Sequence, residues 1–426
     1  MNPVQGSEPT RRAFLQHATL AAAAAAAVLP TRAHAKTKAN DTLGIGLIGC
    51  GGRMGGHAAS YDYVKKQGVN VRIVAVCDTY RPRMERMGKK YGAKMYMDHR
   101  ELLADPDVDA VSIATPDHLH GYQAIDAMKA GKGVYCEKPV THWRQFELTK
   151  ELARVAKETG CVFQLGSQGM SDPAWAKMRE LVQQGLIGQP IHAECGYFRV
   201  GDWGERGMPI DDENAQPGPD LNWEAFLGDA PKRPFDVSRY FRWRMYEDYS
   251  GGPSTDLFPH SFTPVASILS LGMPRRVVAV GGKYRYSDRE VPDTYNTLVE
   301  YADGLVVAIL GTQGNDYQAT GGRGAGGRIP VIRGWDGTLT VKDNDILFIP
   351  AEGAKKDPQT IPVGGGEDTQ QYFMDFVQHC LAKDPNTASG PEMALHVQTA
   401  LQMGVMAQRE GVAVDFDPYT QTFQPA

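Results

Sequence analysis

No C-x-x-C pair occurs among the six cysteines, at positions 50, 77, 136, 161, 195 and 380. That excludes a disulfide framework or a zinc ribbon, and leaves the thiols as small apolar side chains, four of them in or beside strand-like runs. Positive charge is not in excess: 45 Lys and Arg face 50 Asp and Glu, for a net charge of −5. A basic footprint for nucleic acid or an anionic membrane is therefore absent. The most alanine-rich run, Ala21–Ala27, is too short and too weakly hydrophobic to be read as a membrane span. No internal repeat and no extended charge block interrupts the chain. His118-x-His120 has no cysteine or paired carboxylate at ligand spacing nearby, so no metal site is expected.

What the chain does contain is an alternation of apolar runs and helical segments. Thr42–Ile48 is apolar and of strand length, and it leads into Gly49-Cys50-Gly51-Gly52-Arg53-Met54-Gly55-Gly56. Glycines after a strand permit a tight turn and let backbone N–H groups approach a pyrophosphate at the next helix N-terminus. Gly49 and Gly51 fit G-x-G, whereas the third glycine position holds Met54. A second run, Val71–Cys77, ends in Asp78, where an acid grips the adenosine ribose hydroxyls; the plainer alternative is a helix N-cap. A carboxylate there repels a 2′-phosphate and favours NAD over NADP. Arg81 and Arg83 lie close enough to blur that preference or to cover the adenine, so NADP stays open.

The pattern repeats. Ala110–Ala114 reads as a strand, followed by Thr115-Pro116-Asp117-His118-Leu119-His120 and an amphipathic helix to Ala130, with a helix-entry role for the two histidines beside the nicotinamide. Gly133-Val134-Tyr135-Cys136 then ends in Glu137-Lys138-Pro139, a helix spans 144–159, and 162–165 forms another strand. This alternation predicts a parallel, doubly wound α/β sheet. Ligands of such sheets bind beyond the carboxyl ends of the strands, where Lys138 would be delivered.

Downstream stands Gly251-Gly252-Pro253-Ser254-Thr255-Asp256-Leu257-Phe258-Pro259-His260. Four residues separate Asp256 from His260, so on one helix both face the same way. Oxidising a secondary alcohol requires removal of the hydroxyl proton as hydride leaves carbon. An imidazole with an ordinary pKa of about 6.5 suits that task, and a carboxylate can orient it. Pro259 and Pro264 predict a helix that starts near Thr255 or Asp256 and kinks before Val265.

These motifs together resemble the glucose–fructose oxidoreductase, inositol dehydrogenase and rhizopine catabolism (Gfo/Idh/MocA) family. The carrying residues are G-C-G-G-R at 49–53, A-T-P-D-H-L-H at 114–120, Y-C-E-K-P at 135–139 and the segment 251–260. The resemblance implies a Rossmann domain over 40–165 and a C-terminal α/β domain over 166–426 with a largely antiparallel open sheet. It implies NAD(P)-dependent oxidoreduction of a sugar, glycoside or cyclitol hydroxyl, and homo-oligomer contacts through the open sheet. Lys138, Asp256 and His260 match the family's catalytic lysine, aspartate and histidine. Gly49, Gly51, Gly52, Arg53, Met54, Asp78, Arg83, Thr115, Pro116, His118, His120, Glu137, Lys138 and Gln168 are the expected cofactor contacts.

The amino-terminal segment sets the expected address. Thr10-Arg11-Arg12-Ala13-Phe14-Leu15, the alanine run and Ala33-His34-Ala35 resemble a twin-arginine export signal over residues 1–35. Its removal takes away Glu8, Arg11, Arg12 and Arg32, moving the net charge to −5 − 2 = −7. The twin-arginine translocase carries folded proteins, so a periplasmic or secreted enzyme would travel with its nucleotide. Without an external NAD pool, the cofactor would have to be regenerated within each cycle. That favours a two-substrate oxidoreductase or a redox-neutral hydrolase, lyase or epimerase working through a transient keto-sugar. An exported sugar-binding protein without turnover is the remaining alternative.

In the second half, 175–184 reads as a helix, and strands are expected at 190–197, 276–280, 297–301, 306–310 and 339–341. A Gly-, Pro- and acid-rich insert at 201–219 has the length of a lid or binding loop. The glycine cluster at 321–327 lacks the P-loop lysine and is expected to be a flexible loop. The segments 372–381 and 392–409 read as amphipathic structural helices. The run Tyr240-Phe241-Arg242-Trp243-Arg244-Met245-Tyr246, with Tyr249, suits a pyranose face or ordinary packing, and Arg244 and Tyr246 are the expected ligand-facing residues.

Overall fold

The computed structural model describes residues 42–317 and 329–426; the expected export signal over 1–35 and the glycine cluster 321–327 lie outside the described residues. The first sheet is fully parallel. Its strands are β1 (Leu43–Ile48), β2 (Val71–Cys77), β3 (Lys94–Tyr96), β4 (Ala110–Ile113), β5 (Gly133–Glu137) and β6 (Phe163–Gly166), in the order β3-β2-β1-β4-β5-β6. The order reverses between β1 and β4, which opens a crevice beyond their carboxyl ends. Helices α1 (Gly52–Lys66), α2 (Arg81–Tyr91), α3 (His99–Ala104), α4 (Asp117–Lys129) and α5 (Phe146–Thr159) connect the strands. Two apolar clusters cover its faces, one holding Ile48, Val111, Ile113, Val134 and Leu152, the other Ile45, Leu47, Met54, Val76 and Tyr135. Strands buried on both sides explain why these runs are continuously apolar instead of alternating.

A mixed sheet of eleven strands forms the second half. Its centre pairs β7 (Pro190–Val200) in parallel with β8 (Val306–Thr312), and antiparallel strands extend it on both sides. Register is legible in one row of side chains. Val414, Val277, Val299, Val307, Ala193, Ile332, Leu339 and Phe348 are successive cross-strand partners, and all are buried. A shift by one residue in any strand would turn its member of that row to the opposite face. The row packs against α6 (Pro173–Gln183), helix 258–269 and helix 391–410 in one core.

Helix 369–382 belongs spatially to the first sheet. Tyr372, Phe373, Phe376 and Val377 join the cluster around Met54 and Tyr135, with the Phe373 ring stacked 4.4 Å from that of Tyr135. Sequence continuity places this helix in the second domain, whereas its apolar stripe covers the nucleotide-binding half. Expected strands and helices appear within a few residues of their anticipated bounds, and all six cysteines are free thiols. Among the described residues, no helix is long and apolar enough to cross a membrane.

Candidate active site

One cleft of about 990 Å³ runs from the glycine turn to the Asp256–His260 segment. At the first end, Gly49 adopts φ +86°, and a Cβ there would lie 2.8 Å from the carbonyl oxygen of Ala114. Only glycine fits that approach of β1 to β4. Gly51 caps α1 without any side-chain acceptor, and a Cβ on Gly52 would meet nothing within 4 Å. The turn thus presents open backbone N–H groups at a helix N-terminus, a cradle that fits a pyrophosphate. Asp78 sits beside it. One oxygen accepts from the Cys50 N–H at 2.6 Å and the other from the Tyr80 N–H at 2.8 Å, tying the turn to the end of β2. The α2 N-cap is Tyr80, not Asp78. Burial pushes the Asp78 carboxyl up, opposed by Arg83 and the two N–H donors.

Of the expected cofactor contacts, Gly49, Gly51, Gly52, Arg53, Asp78, Arg83, Thr115, Pro116, His120, Glu137, Lys138 and Gln168 line the cleft. Two are turned elsewhere. Met54 is fully buried in the core beneath α1, so its place in the glycine pattern is occupied by packing. His118 is buried against the second half, its Nε2 2.7 Å from the Phe226 carbonyl, and burial lowers its pKa to about 4. Glu137 lines the cleft but accepts at one oxygen from Arg53 (2.8 Å), His57 (2.9 Å) and Gln168 (2.9 Å). Burial alone would raise its pKa; Arg53 and His57 reverse this and hold it well below the usual carboxylate range. Glu137 is thereby a fixed anchor for α1. His120 stands between the carbonyls of Thr115 and Pro139, 2.7 Å from each, bracing the α4 entry against the Lys138–Pro139 turn.

At the other end, Lys138 Nζ donates to the backbone oxygen of Asp256 at 2.5 Å and to its Oδ1 at 2.9 Å. Arg244 Nε donates to the same Oδ1 at 3.3 Å, with its guanidinium 4.2 Å from the centre of the Trp243 ring. Burial would raise the Asp256 pKa, but the Lys138 and Arg244 charges pull it far below the ordinary range. His260 lines the same cleft, its ring 6.2 Å from that of Tyr197. The helix joining Asp256 and His260 is not continuous. A short turn, Pro253–Asp256, ends at Leu257, and a second helix, Phe258–Leu269, carries His260 in its first turn. Pro264 lies inside that second helix without ending it.

The aromatic run divides between packing and the cleft. Tyr240, Phe241, Trp243 and Tyr249 are buried in an apolar cluster with Trp223 and Phe226, and Tyr240 and Trp243 also line the cleft. Arg244 lines the cleft, whereas the Tyr246 hydroxyl bonds Ser238 at 2.7 Å under the Arg239 guanidinium, away from it. Sequence reasoning missed Tyr197, Arg199 and Trp203, which also line the cleft. Trp203 is 62% exposed, with Arg199 stacked 4.4 Å from its ring centre. The signal available was an aromatic residue inside a long insert, which does not reveal where the insert folds. Among the described residues, no group of three or more His, Cys, Asp or Glu could hold a metal ion.

Comparison with known proteins identifies this arrangement. Residues 43–167 match the oxidoreductase family, NAD-binding Rossmann fold, and residues 172–350 match the C-terminal α/β domain of the same family. The chain belongs to the Gfo/Idh/MocA oxidoreductases. Levoglucosan dehydrogenase of Pseudarthrobacter phenanthrenivorans is 26% identical over 64% of this chain and 68% of its own length. The scyllo-inositol 2-dehydrogenase (NAD(+)) of Bacillus subtilis is 36% identical, over 28% of this chain and 35% of its own. The solved levoglucosan dehydrogenase complex with NADH and levoglucosan superposes with a TM-score of 0.66 at 19% identity, covering 88% of this chain and 99% of that one. The first half is accordingly an NAD-binding domain.

Proposed function

We propose that this protein oxidises or reduces a hydroxyl of a sugar, glycoside or cyclitol with an NAD that it retains between turnovers. The observation that carries this reading is the contact of Lys138 and Arg244 with Asp256 in the cleft that begins at the glycine turn and that His260 also lines. When bound, the dinucleotide would supply the hydride acceptor. Lys138, whose ammonium donates to the Asp256 carboxylate, can bind the substrate oxygen and share its proton. His260 supplies an imidazole in the same cleft to take the proton onward. Arg244 and the exposed face of Trp203 suit the hydroxyls and the apolar face of a pyranose ring.

Retention is supported by the cover over the nucleotide end of the cleft, where residues of the second half, including Asn222, Ala225 and Phe226, contribute to its lining. A retained cofactor suits either paired substrates or the redox-neutral chemistry of a transient keto-sugar. The proposed location is the periplasm or exterior, reached through the twin-arginine translocase. Homo-oligomer formation would use the open sheet face, where Val278, Val280 and Leu298 are exposed.

The test is to denature freshly purified protein, identify the released nucleotide, and screen sugars, glycosides and cyclitols for its reduction in situ. Accumulation of an altered sugar without an added acceptor supports the redox-neutral route. Dependence on a second carbonyl compound supports paired oxidation and reduction. A chain that carries and binds no dinucleotide would overturn the proposal.

A further inference from the structure

The insert Gly201–Asn222 leaves the substrate end of the cleft and ends on the nucleotide half. Near its start, Trp203 and Met208 line the cleft. At its end, Leu221 forms a backbone bridge to Tyr80, the Asn222 N–H donates to the Thr79 carbonyl at 2.9 Å, and Asp220 accepts from Arg81 Nε at 2.8 Å. Between these points lies Asp211. Its two carboxylate oxygens accept from Arg83 Nε at 2.8 Å and Nη2 at 3.0 Å, a two-pronged contact on one edge of the guanidinium. The Asp211 backbone is exposed, but the paired side chains are only 15% and 19% exposed for Arg83 and Asp211. The Arg83 guanidinium carbon lies 5.1 Å from the centre of the Phe241 ring, and its Nη1 would sit 3.5 Å from a Cβ on Gly51. One edge of Arg83 is therefore held by the insert while Nη1 overhangs the glycine turn.

An arginine just after β2 is the residue type that accommodates the 2′-phosphate of NADP. Its fork matches a phosphate as well as it matches a carboxylate, and it can serve only one of them with the same edge. We propose that Asp211 is a cofactor-specificity residue: by occupying the fork of Arg83 it denies that fork to a 2′-phosphate and directs the remaining N–H groups toward the pyrophosphate turn. A 2′-phosphate would meet two carboxylates, Asp78 and Asp211, with the intervening cation already engaged. The diphosphate of NAD gains a positioned donor. Because Asp211 lies on a segment continuous with the Trp203 wall, the same contact ties the cover of the cleft to the nucleotide half and slows dinucleotide loss. This inference rests on dinucleotide binding and not on the sugar substrate.

The test uses Asp211→Asn in the full chain, which keeps the side-chain shape and removes the charge. Binding of NADH and NADPH is titrated by nicotinamide fluorescence, and nucleotide content is measured after gel filtration. The NADPH-to-NADH affinity ratio is expected to rise about tenfold, with NADH lost faster. Arg83→Met in the Asp211→Asn background should abolish the gain in NADPH binding. If Asp211→Asn folds poorly, Arg83→Met alone decides: NADH binding should weaken while NADPH remains the poorer ligand. A folded Asp211→Asn chain with the wild-type ratio and wild-type retention would overturn the role of Asp211. So would an Arg83→Met chain that binds NADH as the wild type does. Wild-type protein that binds neither dinucleotide would instead overturn the cofactor reading itself.

Discussion

Two buried carboxylates near the cleft face arginines, yet they respond in opposite directions. Asp256 shares Oδ1 with Lys138 at 2.9 Å and Arg244 at 3.3 Å and lies far below its ordinary pKa. Glu205, at the base of the insert, accepts from Arg199 at 3.1 and 3.2 Å and from Gln313 at 2.7 Å, yet is pushed up to about 7. Burial raises both. Asp256 has two cations aimed at it. Glu205 shares Arg289 with Asp202, which holds that guanidinium at 2.6 Å, and it also feels the negative charge of Asp256. Counting neighbouring arginines therefore does not set the charge state; at Glu205 burial, with the nearby Asp256 charge, outweighs them. The Asp256 end is built to keep charge fixed. The insert base is built near its own titration.

Breaking the Asp256 side of this comparison should have the largest effect. Lys138→Met leaves Asp256 with Arg244 alone and removes the cation proposed to meet the substrate oxygen. The rate of bound-nucleotide reduction in single turnover should fall on the order of 10³-fold. Stability should fall by about 3 kcal/mol, because a buried pair loses one partner. Released nucleotide should still be present on denaturation. Turnover within a few-fold of wild type would remove Lys138 from the chemistry.

The two carboxylates should also separate in pH profiles of stability. Glu205 has a raised native pKa, so between about 4.3 and 7 the unfolded chain loses its proton first and stability drops as pH rises. Glu205→Gln should remove a slope worth on the order of 3 kcal/mol across that window. Asp256 has a depressed native pKa, so its contribution is complete above about 4 and is lost as pH falls below that value. Asp256→Asn should flatten the acid limb and leave the neutral region unchanged in shape. Denaturant melts from pH 3 to 8 measure both; parallel profiles for the two variants would contradict the opposed shifts.

Much of the fold was legible because the first sheet is buried on both faces and read as uninterrupted apolar runs separated by turn residues. The glycine turn, Asp78, Lys138 and the Asp256–His260 segment were legible because their chemistry is local to strand ends. Other features depended on long-range packing. Met54 appears in a glycine pattern and yet faces the core. His118 lies two residues from His120 and turns to Phe226 on the second half, a contact 108 residues away. The helix 369–382 covers the first sheet because its aromatic stripe fits Tyr135, which no local pattern announces. The insert offered its composition alone, so Trp203, Asp211 and the Arg199–Glu205 pair emerged only with the fold.

The smallest expected effect sharpens the distinction between the two ligand-facing residues expected from sequence. Arg244 Nε contacts Asp256 in the cleft, whereas Tyr246 spends its hydroxyl on Ser238 outside it. Tyr246→Phe removes one hydroxyl and keeps the ring beneath Arg239, whose guanidinium lies 4.3 Å from its centre. Substrate KM and turnover should match wild type, and stability should change by no more than about 1 kcal/mol, the net worth of one hydrogen bond. Arg244→Met, in contrast, strips a cation from Asp256 and a donor from the cleft lining proposed to meet substrate. A Tyr246→Phe enzyme with a KM raised as much as that of Arg244→Met would mean that the helix 237–241 region moves toward the cleft when substrate is bound.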